Sequence, residues 1–201
     1  MKWTLLFFLL LTRFQNNTCE DFENEMQPKI TTITKKIIEL QKPHFLNKKE
    51  LLSIALPEYI TYSESKNQLE IILVKSNLYF KNSKLDLSFG PFQMKLSFIK
   101  KVLDRAPSFV LNDVFLENLK KRHFHLNSSD IDKLNNLQTQ WNLLRAFEYV
   151  NKKVYNQHSI VGYYSLYNSG KVKKDVVFTN IKCKNMSYSE WCIELYDIIN
   201  R

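Results

Sequence analysis

Apolar residues along the chain recur mainly three and four apart, the spacing that gathers them on one face of a helix. Ile30, Ile33, Ile37 and Ile38 form a first stripe, which ends before Pro43. Asn47 with Glu50 three residues on predicts an N-terminal cap. The helix it opens carries Leu51, Leu52, Ala55, Leu56 and Ile60 and is interrupted by Pro57. Leu69, Ile72, Leu73, Ser76 and Tyr79 make a third stripe, although the run of Ile, Leu and Val also fits a strand. Phe92, Leu96, Ile99 and Leu103 predict a fourth helix, and Leu111, Val114, Phe115 and Leu119 a fifth. The clearest pattern starts at Ser128-Ser129-Asp130: Leu134, Leu137, Trp141, Leu144 and Glu148 share one face, widened by Phe147 and Val150. Ile160 to Tyr167 predicts a short helix with Gly170 as its left-handed stop. Ser187 and Glu190 form a capping box for a last helix with Trp191, Leu195 and Ile198. Only Val176 to Thr179 reads as a strand. The expected fold is mainly α, with little or no β-sheet.

The 201 residues suit one domain, and 44% apolar with 24% charged residues is a globular composition rather than a disordered one. Lys2 precedes Leu5 to Leu11, all Leu or Phe, which is the layout of a secretory signal peptide. That run falls short of the roughly 20 apolar residues a membrane-spanning helix needs. Residues 1–15 are therefore read as a signal peptide and residues 16–201 as one helical domain; the rival reading of the N-terminus is a buried helix. The expected location is the periplasm or cell envelope. The net charge of +9 suits an anionic polymer, and by sign alone nucleic acid as well. Cys183 and Cys192 lie close enough in sequence to pair in an exported chain, or they are two buried thiols; Cys19 is odd. His123 and His125 stand alone in a basic stretch and fit no zinc spacing; no metal or organic cofactor is expected.

A chain with only three glycines keeps them where the backbone needs positive φ or close approach. One stands in Ser88-Phe89-Gly90-Pro91-Phe92-Gln93-Met94-Lys95, and another closes Tyr167-Asn168-Ser169-Gly170. Upstream lies Glu58, flanked by Leu56, Pro57, Tyr59 and Ile60. Apolar neighbours desolvate a carboxyl and raise its pKa, as a general acid working near neutral pH requires. Glu64 and Glu70 are rivals within one or two turns, and Glu70 has the more apolar neighbours; spacing does not choose among the three.

The order Glu58, then Ser88-x-Gly90-x-x-Gln93-Met94, then Tyr167-Asn168-x-Gly170 resembles the lytic transglycosylases with a goose-type lysozyme fold. Leu51-Leu52-Ser53-Ile54-Ala55-Leu56-Pro57-Glu58 is similar to the helix that carries that family's catalytic glutamate. The resemblance spans about Lys48 to Gly170. It implies a lysozyme-like helical domain with a cleft, acting on peptidoglycan between N-acetylmuramic acid and N-acetylglucosamine. It makes Glu58 the single catalytic acid/base, with Ser88, Gly90 and Gln93 in the cleft wall and Tyr167 and Asn168 beside the acid and the sugar. It also implies that the substrate's N-acetyl group stabilises the oxocarbenium-like centre, so that no second carboxylate is needed. Attack by the sugar's own 6-hydroxyl then closes a 1,6-anhydro ring, whereas attack by water makes the same site a lysozyme.

The chain departs from the family at Tyr59, where serine is usual, and at Pro91-Phe92, where Leu-Met is usual. The stretch from Glu58 to Ser88 is longer than the family's, so residues 67–86 read as an insertion holding an extra helix. Two other classes fit the same features. One is a non-catalytic peptidoglycan-binding or envelope scaffold protein of the same fold, favoured by Tyr59. The other is a basic nucleic-acid binder resting on Lys120-Lys121-Arg122 and Lys171 to Lys174, though such runs are usually solvated faces and no nucleic-acid partner is expected.

Overall fold

The computed structural model describes residues 19–79, 86–154, 156, 159–169, 177–178 and 186–201. Residues 1–15, the expected signal peptide, lie outside the described residues, as do Gly170, Lys171 to Lys174, Cys183 and the side chains of Cys19 and Asn168. The protein is mainly α-helical, with two short β-hairpins among the described residues.

Helix α1 (Cys19–Ile38) buries Ile30, Ile33 and Ile37, whereas Ile38, expected on the same stripe, is 68% exposed in the last turn. Helix α2 (Lys48–Thr61) begins at the expected capping box, with Asn47 accepting from the Glu50 amide and Glu50 accepting from Asn47. Every residue from Leu51 to Pro57 is buried, so α2 is a central helix with no polar face rather than an amphipathic one. α1 and α10 (Tyr188–Asn200) pack against it, and Tyr188 donates its hydroxyl to the Ile54 carbonyl at 2.8 Å. The expected interruption at Pro57 does not occur. A helical proline costs about 3 kcal/mol, and burying each large apolar side chain returns about 1.5–3 kcal/mol. Leu51, Leu52, Ile54, Leu56 and Ile60, all 3% exposed or less, carry the helix through the proline to Thr61.

Helix α3 (Glu64–Tyr79) is a helix and not a strand, but it presents the opposite face from the one expected. Leu69, Ile72 and Leu73 are 63%, 58% and 49% exposed, while Asn67 and Val74 are buried and Ile71 and Leu78 pack on the core. Counting apolar residues missed that α3 turns a polar residue, Asn67, inward to hold the next element.

That element is the hairpin β1 (Ser88–Phe89) and β2 (Met94–Lys95), antiparallel with Ser88 opposite Lys95 and Phe89 opposite Met94. Phe92 therefore lies in a turn, and helix α4 starts only at Leu96, running to Arg105. Two further expected helices are each divided at an asparagine. Asn112, at φ 45°, separates α5 (Ser108–Leu111) from α6 (Val114–Lys121), and Val114 is 75% exposed. Asn136 caps α8 (Leu137–Lys153) after α7 (Ser128–Leu134) has ended, its side chain accepting from the Gln138 amide. Helix α9 (Ile160–Ser169) precedes the second hairpin, β3 (Val177–Phe178) with β4 (Met186–Ser187). The expected capping box of Ser187 and Glu190 starts α10. Among the described residues no helix is long and apolar enough to cross a membrane.

Candidate functional site

Three elements meet around the C-terminal turn of α2: the β1–β2 turn, α3, and Tyr167 on α9. The β1–β2 turn is fixed by two buried amides from elsewhere in the chain. Gln140 on α8 accepts from the Phe92 amide at 2.8 Å and donates to the Phe89 carbonyl at 2.9 Å. Asn67 on α3 accepts from the Gly90 amide at 2.6 Å and donates to Asn135 at 3.0 Å. Inside the turn, the Gln93 amide donates to the Gly90 carbonyl at 2.9 Å, and the Gln93 side chain donates to the same oxygen at 3.0 Å.

Gly90 sits at φ +80°, and a Cβ there would lie 1.8 Å from Gln140 Nε2. Both the conformation and the close approach of Gln140 demand glycine. Gln93 is also left-handed, at φ 49°.

Tyr167 donates its hydroxyl to the Phe92 carbonyl at 2.7 Å and packs edge-on against Phe98 and Phe147. Burial, with the charge of Glu58 adding to it, holds its phenol well above the usual range. The hydroxyl therefore stays protonated and anchors the turn. On the α2 side, Tyr59 lies edge-on to Phe92, with ring centroids 6.4 Å apart, and stacks on Tyr62 at 6.5 Å. Tyr59 thus packs α2 against the hairpin.

Glu58 lies in this junction, partly buried. No hydrogen bond to its carboxyl forms among the described residues. Loss of solvent raises its pKa to about 7; the positive charges of Lys66 and Lys95 oppose the rise, and the charge of Glu70 adds to it. Desolvation is the leading cause, as for any carboxyl held among apolar groups. Glu64 is exposed, whereas Glu70 is mostly buried on the α3 face that holds the hairpin, so one of the two rivals joins Glu58 and the other does not.

Of the expected site residues, Gly90 and Gln93 share the β1–β2 turn, Tyr167 bonds that turn at Phe92, and Glu58 stands next to Tyr59, whose ring meets Phe92. Ser88 lies at the foot of the hairpin opposite Lys95, and Asn168 is on α9 in the turn that follows Tyr167. Asn67 and Gln140 were not expected there, and Glu70 was expected only as a rival for the acid. Asn67 fell in the presumed insertion, and Gln140 sits inside an apolar pattern that gives a lone amide no signal.

His123 and His125 are exposed, and among the described residues no group of three or more His, Cys, Asp or Glu is arranged for a metal. Cys192 is buried, its Sγ 3.9 Å from the Ile54 carbonyl. The basic run at Lys120 serves partly in the fold: Lys120 donates to the Ala106 carbonyl, and Arg122 pairs with Asp130 at 3.2 Å. No protein-family model, curated protein or solved structure matches the chain.

Proposed function

We propose that this protein is an exported, peptidoglycan-cleaving glycosidase of the lytic transglycosylase or lysozyme type, with Glu58 as its acid. One observation carries the reading: a carboxyl with no hydrogen bond among the described residues, its pKa raised to about 7, beside a glycine-marked turn and a half-buried tyrosine. Near pH 7 about half of such a group holds a proton that it can give to a glycosidic oxygen. Once ionised, it can take a proton from the incoming hydroxyl. Gly90 and Gln93 shape the wall opposite the acid, and Ser88 and Asn168 complete the sugar-binding set by resemblance. The net charge of +9 favours a polymer bearing carboxylates.

Tyr59 supports a second reading, a sugar-binding relative without turnover, because its ring occupies the side of α2 next to Glu58. Digestion of purified peptidoglycan, with the products weighed by mass spectrometry, separates the two. The catalytic reading expects muropeptides from the wild type and a drop of about 10³-fold in Glu58→Gln. Intact walls with both proteins, together with retained binding, would establish the non-catalytic reading.

A further inference from the structure

Glu70 has no place in a single-acid scheme, yet it is built into the same junction. It lies one turn beyond Asn67 on α3, on the face whose Asn67 side chain accepts from the Gly90 amide. Its side chain is only 14% exposed. Oε1 lies 3.6 Å from Lys66 Nζ, too long for a strong hydrogen bond, and Oε2 is buried with no protein donor among the described residues. A buried polar oxygen without a partner costs roughly 1–3 kcal/mol. Such groups persist mainly where a ligand or a chemical role compensates. The charge of Glu70 raises the pKa of both Glu58 and Tyr62, so its carboxyl lies within electrostatic reach of the acid.

Resting on the assignment of Glu58 as the acid, we infer that Glu70 is the carboxylate that holds and deprotonates a water nucleophile, so that the enzyme hydrolyses its glycan. Glu58 gives its proton to the leaving glycosidic oxygen as the bond from the anomeric carbon to that oxygen breaks. Water bonds to the anomeric carbon from the opposite face, and its proton passes to Glu70. One water is consumed per cut, and the two carboxyls return to their starting states by exchanging a proton with solvent. Two carboxyl groups acting from opposite faces of the sugar lead to inversion at the anomeric carbon. The competing end, attack by the sugar's 6-hydroxyl, consumes no water.

The test is digestion of purified peptidoglycan in ¹⁸O-water by wild type, Glu58→Gln, Glu70→Gln and Glu70→Ala, the last also with sodium azide. The expected wild-type products are reducing ends carrying one ¹⁸O. Glu70→Gln, nearly isosteric, should lose at least about 10²-fold of that product while melting no lower than wild type. Azide, which needs no base, should restore cleavage by Glu70→Ala and yield a glycosyl azide of inverted configuration. A purely structural role for Glu70 would not produce that azide.

Anhydro ends from the wild type, with Glu70→Gln cutting at an undiminished rate, overturn the role of Glu70 and leave Glu58 standing. Reducing ends that survive Glu70→Gln also overturn it. No cleavage by the wild type overturns both assignments.

Discussion

Glu148 and Glu58 are both withdrawn from solvent, and their surroundings have almost nothing in common. Glu148, on α8, is fully buried and accepts three backbone amides: His44 at 2.9 Å, Phe45 at 2.6 Å and Leu46 at 2.6 Å. It belongs to a clasp along α8 that ties down the loop between α1 and α2. Trp141 donates to the Gln41 carbonyl at 2.9 Å, and Arg145 to the Lys42 carbonyl at 3.0 Å and the Gln41 side chain at 2.7 Å. Glu58 is the converse: partly buried, without a hydrogen bond to its carboxyl among the described residues, and pushed up to about 7. Backbone donors stabilise the charged form of a carboxyl, whereas desolvation alone penalises it. Burial by itself therefore does not mark a reactive acid. What distinguishes the two is whether the fold has already spent the carboxylate's hydrogen-bonding capacity.

The largest effect expected from this contrast is at Glu148. Glu148→Ala strips three backbone amides of their buried acceptor and should destabilise the protein by about 2–4 kcal/mol. Glu148→Gln, which keeps one acceptor oxygen, should cost less. Urea unfolding of the two variants measures this, and a loss below about 1 kcal/mol for the alanine variant would remove the distinction.

Glu58→Gln should act in the opposite direction, and only at high pH. Between the ordinary carboxyl value of 4.5 and about 7, the folded state binds more protons at Glu58 than the unfolded chain does. Stability contributed by this group is therefore full below pH 4.5, falls as pH rises through 7, and stays lost above. The accumulated loss is about 3 kcal/mol. The glutamine variant avoids it, so its melting temperature should match wild type near pH 4.5 and exceed it at pH 8. A difference between the variants that does not change with pH would mean that Glu58 is well solvated or paired.

These two carboxylates also show how far the chain could be read without coordinates. Glu148 was placed on an apolar helical face by its spacing, but nothing nearby in sequence announces that its partners lie about 100 residues upstream. Glu58 was singled out by the resemblance and not by spacing, which left Glu70 open as well, but desolvation by its apolar sequence neighbours is a local effect that the chain does announce. Caps were legible for the same reason: Asn47 with Glu50 and Ser187 with Glu190 are contacts three residues long. The inward face of α3 was not, because Asn67 and Glu70 point toward a hairpin more than a dozen residues away, and polar side chains facing inward invert the apolar count. The hairpin itself was taken for the start of a helix. Gly90 marked a special backbone site, but the residue that makes glycine obligatory there is Gln140, on α8.

The smallest expected effect tests whether Tyr167 belongs to the acid or to the turn. Tyr167 donates its hydroxyl to the Phe92 carbonyl, so Tyr167→Phe removes one neutral hydrogen bond and should cost about 1 kcal/mol, a fall of roughly 2–4 °C in melting temperature for a chain of this size. Because the hydroxyl is committed to that carbonyl, its loss should add to Glu58→Gln within about 0.5 kcal/mol in a double-mutant cycle at pH 8. Coupling well above that would mean that the hydroxyl turns to the ionised carboxyl. Glu58 would then resemble Glu148 more closely, as a carboxylate with a fixed donor. Additivity would leave the Glu58 carboxyl uncommitted, as an acid must be if it is to meet a sugar oxygen.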